Sequence, residues 1–147
     1  MQELSLEELA QNGLIIENGS IRHEGAPCLL EEVRIPAGVV AIDNGCFSGS
    51  PNLRRVVLPA SVREIGVAAF SDCRRLAEIN LPAGLTRLRK ELFSGCESLE
   101  ELVVPDGVTS IGEWAFRGCV NLRSVELPAS VTDICEESFL LCPNLKR

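Results

Sequence analysis

The chain has 147 residues, 46% of them hydrophobic, and a formal charge of −7, so it is the size of one domain and can bury a core. The negative balance excludes nucleic acid and anionic membrane as natural partners, and no apolar run reaches the ~20 residues needed to span a bilayer. Met1-Gln2-Glu3-Leu4-Ser5 lacks the basic start and apolar stretch of a secretion signal, which gives the expectation of a cytoplasmic protein if the chain is full length, or of a cell-surface or secreted one if it is an excised domain.

In chain order, Ser5-Leu6-Glu7-Glu8 reads as a capping box that opens a short helix through about Gln11, and Asn12-Gly13 ends it. Leu14-Ile15-Ile16-Glu17 and Ser20-Ile21-Arg22-His23 flank Asn18-Gly19, the strongest short-range signal for a β-hairpin. Residues 1–34 are therefore expected to form a cap over the N-terminal end of a stack of coils.

From residue 35 the chain repeats itself every 23 residues: Pro36, Pro59, Pro82, Pro105 and Pro128 keep that step, as do Phe47, Phe70, Phe93, Phe116 and Phe139, and Leu53, Leu76, Leu99, Leu122 and Leu145. A fixed period of this length means stacked coils. The stretch before each proline alternates, as in Val33-Arg34-Ile35 and Val56-Val57-Leu58. That is a strand with one buried face, ended by a residue that cannot donate to a ladder. Five such strands, at about 32–35, 55–58, 78–81, 101–104 and 124–127, are expected to form one parallel sheet. A second short strand fits Val108-Thr109-Ser110-Ile111 and its equivalents, and the Ala-Phe-x-x-Cys-x-x-Leu stretch fits a short helical or 3₁₀ turn. Residues 35–147 thus read as five repeats, the last incomplete, continuing the cap within one structural domain.

The units, most fully Val108-Thr109-Ser110-Ile111-Gly112-Glu113-Trp114-Ala115-Phe116-Arg117-Gly118-Cys119, resemble the BspA-type leucine-rich repeat. The resemblance covers residues 35–147 and, more weakly, 13–34. It implies an α/β-type, mostly β leucine-rich-repeat solenoid, right-handed, with a concave parallel sheet. Members are commonly bacterial and protozoan proteins, often at the cell surface and used for adhesion or other protein binding. No catalytic residues or cofactors come with the family. The glycine after the repeated isoleucine is kept at Gly66 and Gly112 but reads Asp43, Arg89 and Cys135 elsewhere.

Candidate chemistry is sparse. Cys73, Cys96, Cys119 and Cys142 share one repeat slot, filled by Ser50 in the first unit. They read as small buried side chains, with a metal ladder or disulfides as the functional alternatives. Cys28 and Cys46 read as packed small residues. His23, the one histidine, reads as an ordinary surface residue at a strand end, and no nucleophile motif or phosphate loop accompanies it.

The expected protein-binding surface is the concave sheet, with outward positions Glu32, Arg34, Arg55, Val57, Glu78, Asn80, Glu101, Val103, Ser124 and Glu126, whose four acids and two arginines sum to −2. A protein partner with a basic patch would be steered there; the alternative is a solvated face. Trp114, whose slot holds Gly45, Ala68, Glu91 and Glu137 elsewhere, either anchors an interface or lies flat over adjacent coils. Leu140 and Leu141 replace small or polar residues. Either they fold over the exposed end or they dock on downstream sequence or a second copy, which would make the chain a monomer or a weak dimer through its C-terminal end. Arg54-Arg55, Arg74-Arg75, Arg87, Arg89 and Lys90 suggest a modest basic region with solvated charge as its default reading. The leading function is a non-enzymatic protein-binding module. The alternative is a structural spacer or oligomerising segment of a longer cell-surface protein.

Overall fold

The computed structural model describes residues 3–146. The helix α1 (Leu6–Gln11) opens with the expected capping box: the Glu8 N–H donates to Ser5 Oγ at 3.1 Å, and the Glu8 carboxylate accepts from Ser5. Asn12 ends it. The Asn12 side chain donates to Glu8 O and accepts from the Leu29 N–H, both at 2.9 Å, which ties the helix to the segment entering the first winding. Strands β1 (Leu14–Glu17) and β2 (Ser20–His23) pair antiparallel around Asn18 and Gly19, with φ of 52° and 79°. Both turn residues are left-handed, the geometry whose twist suits a two-residue hairpin.

The strand β2 then pairs in parallel with β4 (Ala41–Ile42), so the hairpin covers the first winding and becomes part of its sheet. From there each winding supplies two strands. One set is β3 (Glu32–Arg34), β5 (Arg55–Val57), β7 (Glu78–Ile79), β9 (Glu101–Val103) and β11 (Ser124–Glu126); the other is β4, β6 (Glu64–Ile65), β8 (Arg87–Leu88), β10 (Ser110–Ile111) and β12 (Asp133–Ile134). Equivalent residues stand in register, for example Val33 beside Val56 and Ser110 beside Asp133. The result is a mostly β solenoid of about five turns.

The recurrent apolar residues fill its interior. Phe47, Phe70, Phe93 and Phe116 are fully buried and stack ring on ring with Phe139. Cys73, Cys96 and Cys119 are buried beside them, and each thiol donates to the carbonyl of a phenylalanine one winding earlier (Phe47, Phe70 and Phe93, at 3.0, 3.2 and 3.1 Å). This slot therefore satisfies a main-chain acceptor while filling little space, which is why Ser50 can occupy it by donating to Phe47 O at 2.7 Å.

Two expectations are corrected. The stretch carrying the phenylalanine is a run of hydrogen-bonded turns rather than a helix or 3₁₀ helix. Two left-handed residues per winding interrupt it, such as Ala68 and Asp72 at φ 57° and 54° or Trp114 and Gly118 at 58° and 74°, and helix cannot propagate through that conformation.

The five outer strands also do not form one sheet. They split into β3-β5-β7 and β9-β11, and the other face splits into β1-β2-β4-β6 and β8-β10-β12. Both breaks fall between the same two windings, residues 59–81 and 82–104. The Phe70–Phe93 spacing across this seam is 6.0 Å, the widest of the stack, whose other steps are 5.4, 5.6 and 5.1 Å. Glu78 and Glu101 would stand directly opposite there, and like charges in that position oppose pairing. On the turn side the windings stay joined: Ala68 donates to Lys90 O, Phe70 to Leu92 O and Asp72 to Ser94 O, at 3.0, 3.1 and 2.6 Å.

Candidate functional site

The seam shapes the sheet face on which the expected footprint lies. Nine of the ten outward positions are exposed, and Val57 is half-buried. They do not act alike. Arg55 Nε lies 3.4 Å from Glu78 Oε2, which neutralises that pair locally. Asn80 turns aside from the surface: its Oδ1 accepts from the Leu58 N–H at 2.8 Å and its Nδ2 donates to Leu58 O at 2.9 Å. Asn80 is thus a structural residue that replaces ladder bonds in the strand bordering the seam.

Where β7 and β9 part, a shallow depression of about 780 Å3 opens on this face. It is lined by apolar Val57, Ile79, Leu81, Val103 and Pro105 and by the carboxylates Glu78, Glu100 and Glu101, with Arg55 against Glu78. Val103 is 61% exposed, a large apolar side chain presented to solvent beside two carboxylates. Glu100 is joined to Arg123 at 3.2 Å; among the described residues Glu101 makes no ion pair. Leu81, Pro105 and Glu100 were not in the expected footprint, because an evenly paired sheet would leave no hollow for them to line.

Trp114 lies across neighbouring windings. Its indole N–H donates to Glu137 at 2.5 Å, while Lys90 Nζ and the Arg117 guanidinium stand 5.3 and 5.1 Å from its ring. A half-buried indole held on three sides links three windings. The supposed basic region disperses: Arg55 faces the first sheet, Arg87 and Arg89 the second, Lys90 the indole, and Arg74 stands 4.0 Å from Glu97. His23 Nε2 is 2.6 Å from Ala26 O and closes the turn after β2.

Cys28 and Cys46 are buried and Cys135 is exposed. Burial raises the Cys28, Cys46, Cys73 and Cys96 thiols, Cys73 to about 12. The neighbouring Cys142 thiol, together with burial, raises Cys119, and the proximity of Cys119 lowers Cys142. Among the described residues no three His, Cys, Asp or Glu side chains gather as a metal site, and no helix is long and apolar enough to cross a membrane.

At the C-terminal end Leu141 is 60% and Ile134 51% exposed, with Leu127 and Leu140 also open to solvent. Leu140 N–H and C=O remain in the turn ladder, and Leu141 takes a left-handed φ of 62°. Leu141 is thus the more open of the two leucines, Leu140 being 38% exposed.

The sequence matches the BspA type Leucine rich repeat region as six copies over residues 26–146, so the repeat begins within the segment expected to be cap. No curated protein matches it significantly. Three solved structures are similar over most of the chain. A leucine rich cell surface protein from Faecalibacterium prausnitzii is 35% identical, with a TM-score of 0.82, over 88% of this chain and 35% of that one. The T. pallidum Leucine Rich Repeat protein is 33% identical, TM-score 0.84, over 98% and 69%. A leucine-rich repeat protein from Bacteroides ovatus is 32% identical, TM-score 0.79, over 90% and 37%. The chain thus spans about a third of the length of the first and third of these proteins.

Proposed function

Because the chain belongs to the BspA-type leucine-rich repeat family, whose members are typically protein-interaction or cell-surface repeat proteins, we propose that it is a non-enzymatic binding module whose β3-β5-β7 and β9-β11 face receives a protein segment rich in lysine or arginine. The observation that carries this reading is the depression at the seam, where Val103 is exposed among apolar residues and three carboxylates, Glu78, Glu100 and Glu101, outnumber the one lining arginine, Arg55. A long cationic side chain suits such a hollow, since its methylene stem covers apolar surface while its head meets the carboxylates. Exposed carboxylates also steer a basic partner and weaken their pull as salt rises.

A displayed library of random twelve-residue peptides tests this. Basic peptides should be enriched on the native chain, and the Glu78→Lys, Glu101→Lys double variant should lose them with unchanged circular dichroism. Enrichment of neutral or acidic peptides, or binding indifferent to both substitutions, refutes it.

A second reading, a spacer or oligomerising segment of a longer surface protein, is favoured by the open end at Leu127, Ile134, Leu140 and Leu141. It requires association that rises with concentration in light scattering and falls with Leu140→Ser, Leu141→Ser.

A further inference from the structure

The seam opens on the second sheet as well. There a smaller depression of about 290 Å3 is lined by Arg63, Glu64, Ile65, Thr86, Arg87, Arg89, Thr109 and Ser110. Two independent observations mark it. The first is charge. Within the repeated windings, arginines occur on this sheet only at positions 63, 87 and 89, in the two windings that border the seam. Arg89 stands 4.0 Å from Glu64, but among the described residues Arg63 and Arg87 make no ion pair. In a chain with 21 acidic side chains, these two guanidinium groups are left without a carboxylate. Three arginines against Glu64 give a local charge of +2 on a molecule of net charge −7.

The second observation is the main chain. At the position of Thr86, the N–H donates across the sheet in the other windings: Arg63 to Val40 O, Thr109 to Thr86 O and Thr132 to Thr109 O, at 2.8, 2.9 and 2.9 Å. At the position of Arg89, Gly66 donates to Ile42 O, Gly112 to Leu88 O and Cys135 to Ile111 O, at 2.7, 2.7 and 2.9 Å. Among the described residues the N–H groups of Thr86 and Arg89 themselves have no such acceptor. Thr86 is exposed and Arg89 half-buried, so these two donors are accessible to an acceptor from solvent, and both border the cavity that the arginines rim.

We propose that this depression binds a doubly charged oxyanion of the sulfate or phosphate kind. The guanidinium groups of Arg63 and Arg87 grip it from the two lips of the seam, with the N–H groups of Thr86 and Arg89 and the hydroxyls of Thr86 and Ser110 as further donors. The planar fork of arginine is matched to such oxygens, and a charge of −2 offsets the local +2. Glu64 holds Arg89 in place and, with the carbonyls of the facing lip, sets a modest affinity. The site lies on a different sheet from the depression assigned to a basic protein segment and stands or falls apart from it.

Amide resonances followed by NMR during titration with sodium sulfate, sodium phosphate and, at matched ionic strength, sodium chloride provide the test. Sulfate and phosphate should shift the Thr86 and Arg89 amides saturably, and chloride should not. Arg63→Ser and Arg87→Ser, both at exposed positions, should each weaken sulfate at least tenfold with an unchanged melting temperature, whereas Arg123→Ser should leave it alone. Equal response to chloride, shifts that do not saturate, or loss of binding in Arg123→Ser overturns the proposal. So does amide hydrogen exchange at Thr86 and Arg89 as slow as at Thr109 and Gly112, since that means the two lips are paired in solution. Sulfate and phosphate binding alike identifies a general oxyanion site, and a tenfold preference assigns the ligand's terminal group.

Discussion

Replacing Phe93 by alanine should cost far more than the same change at Phe139, and the ratio follows from the stack. Phe93 is fully buried between Phe70 and Phe116, with ring centroids 6.0 and 5.6 Å away. Its removal loses the transfer energy of a whole ring and leaves a cavity with rings on both sides, so about 5 kcal/mol is expected, the upper end for such a change. Phe139 is half-buried and has one described ring neighbour, Phe116 at 5.1 Å, so roughly 2 kcal/mol is expected there. Urea unfolding followed by far-ultraviolet circular dichroism measures both. Trp114, in the winding after Phe93, gives a second and local probe by fluorescence. In Phe93→Ala the two probes should separate, because a solenoid holds together through neighbour interfaces and this variant weakens a central one. Should the alanine variant not fold, Phe93→Leu against Phe139→Leu keeps the ordering at smaller size. Equal losses at the two positions would refute the picture of a core in which each ring is covered by its neighbours.

Asn80→Ala should destabilise the chain by about 1–3 kcal/mol, because it strips Leu58 of both a donor and an acceptor; thermal melting reads this, and an unchanged Tm would return Asn80 to the binding face. Stability should also fall at alkaline pH. Cys73 titrates at about 12 when folded against 9.0 ordinarily, so between those values the unfolded thiol loses its proton while the folded one keeps it. Stabilisation is complete below pH 9.0 and declines toward pH 12, by up to ~1.4 kcal/mol per pH unit for each such thiol. Cys73→Ala should reduce the slope of urea stability against pH by one proton's worth, and an unaltered slope refutes the assignment.

Period and residue type made the stack readable in advance. Phenylalanine, leucine and cysteine recur at fixed steps because each must meet its own equivalent in the next winding, and the capping box and Asn-Gly turn announce the helix and hairpin by local chemistry alone. Three features stayed hidden, each for a physical reason. Alternation reports which side of a strand is buried but not whether its neighbour stays within bonding distance, so the seam could not be seen in the repeat pattern. Asn80 sits at an outward position of that alternation, yet its amide is satisfied sideways by Leu58, a choice that pattern cannot encode. The spacing of Arg87, Arg89 and Lys90 suggested one basic area, but successive residues at the end of a strand point to different faces, and the partner that matters, Arg63, lies 24 residues before Arg87. The signal that could have found the seam is charge read across windings rather than along them, with Glu78 over Glu101 in the column that elsewhere pairs Arg55 with Glu78.

A regularly paired solenoid offers other molecules its side chains and little else, since its main-chain groups are consumed by the ladders on either side. Both sheets of this chain are interrupted between the same two windings, and two of its depressions lie there, while a third, of about 420 Å3, lies on the paired part of the second sheet over Ala41, Ile42 and Gly66. The two at the interruption share two windings, the one that carries Glu64 and Glu78 and the one that carries Arg87 and Glu101, with Thr109 and Ser110 completing the smaller depression and Arg55, Val57 and Pro105 the larger. The main-chain bonds between those windings run along the turn side, from Ala68, Phe70 and Asp72 to the winding beyond, reinforced by the Cys96 thiol on Phe70 O at 3.2 Å and the Ser98 hydroxyl on Arg74 O at 2.7 Å, while Arg89 and Glu64, 4.0 Å apart, span the gap on the second sheet. The buried leucines Leu76, Leu85, Leu88 and Leu99 fill the space between these windings. The two proposed recognition surfaces thus lie at a local failure of the repeat, on windings whose cores obey it.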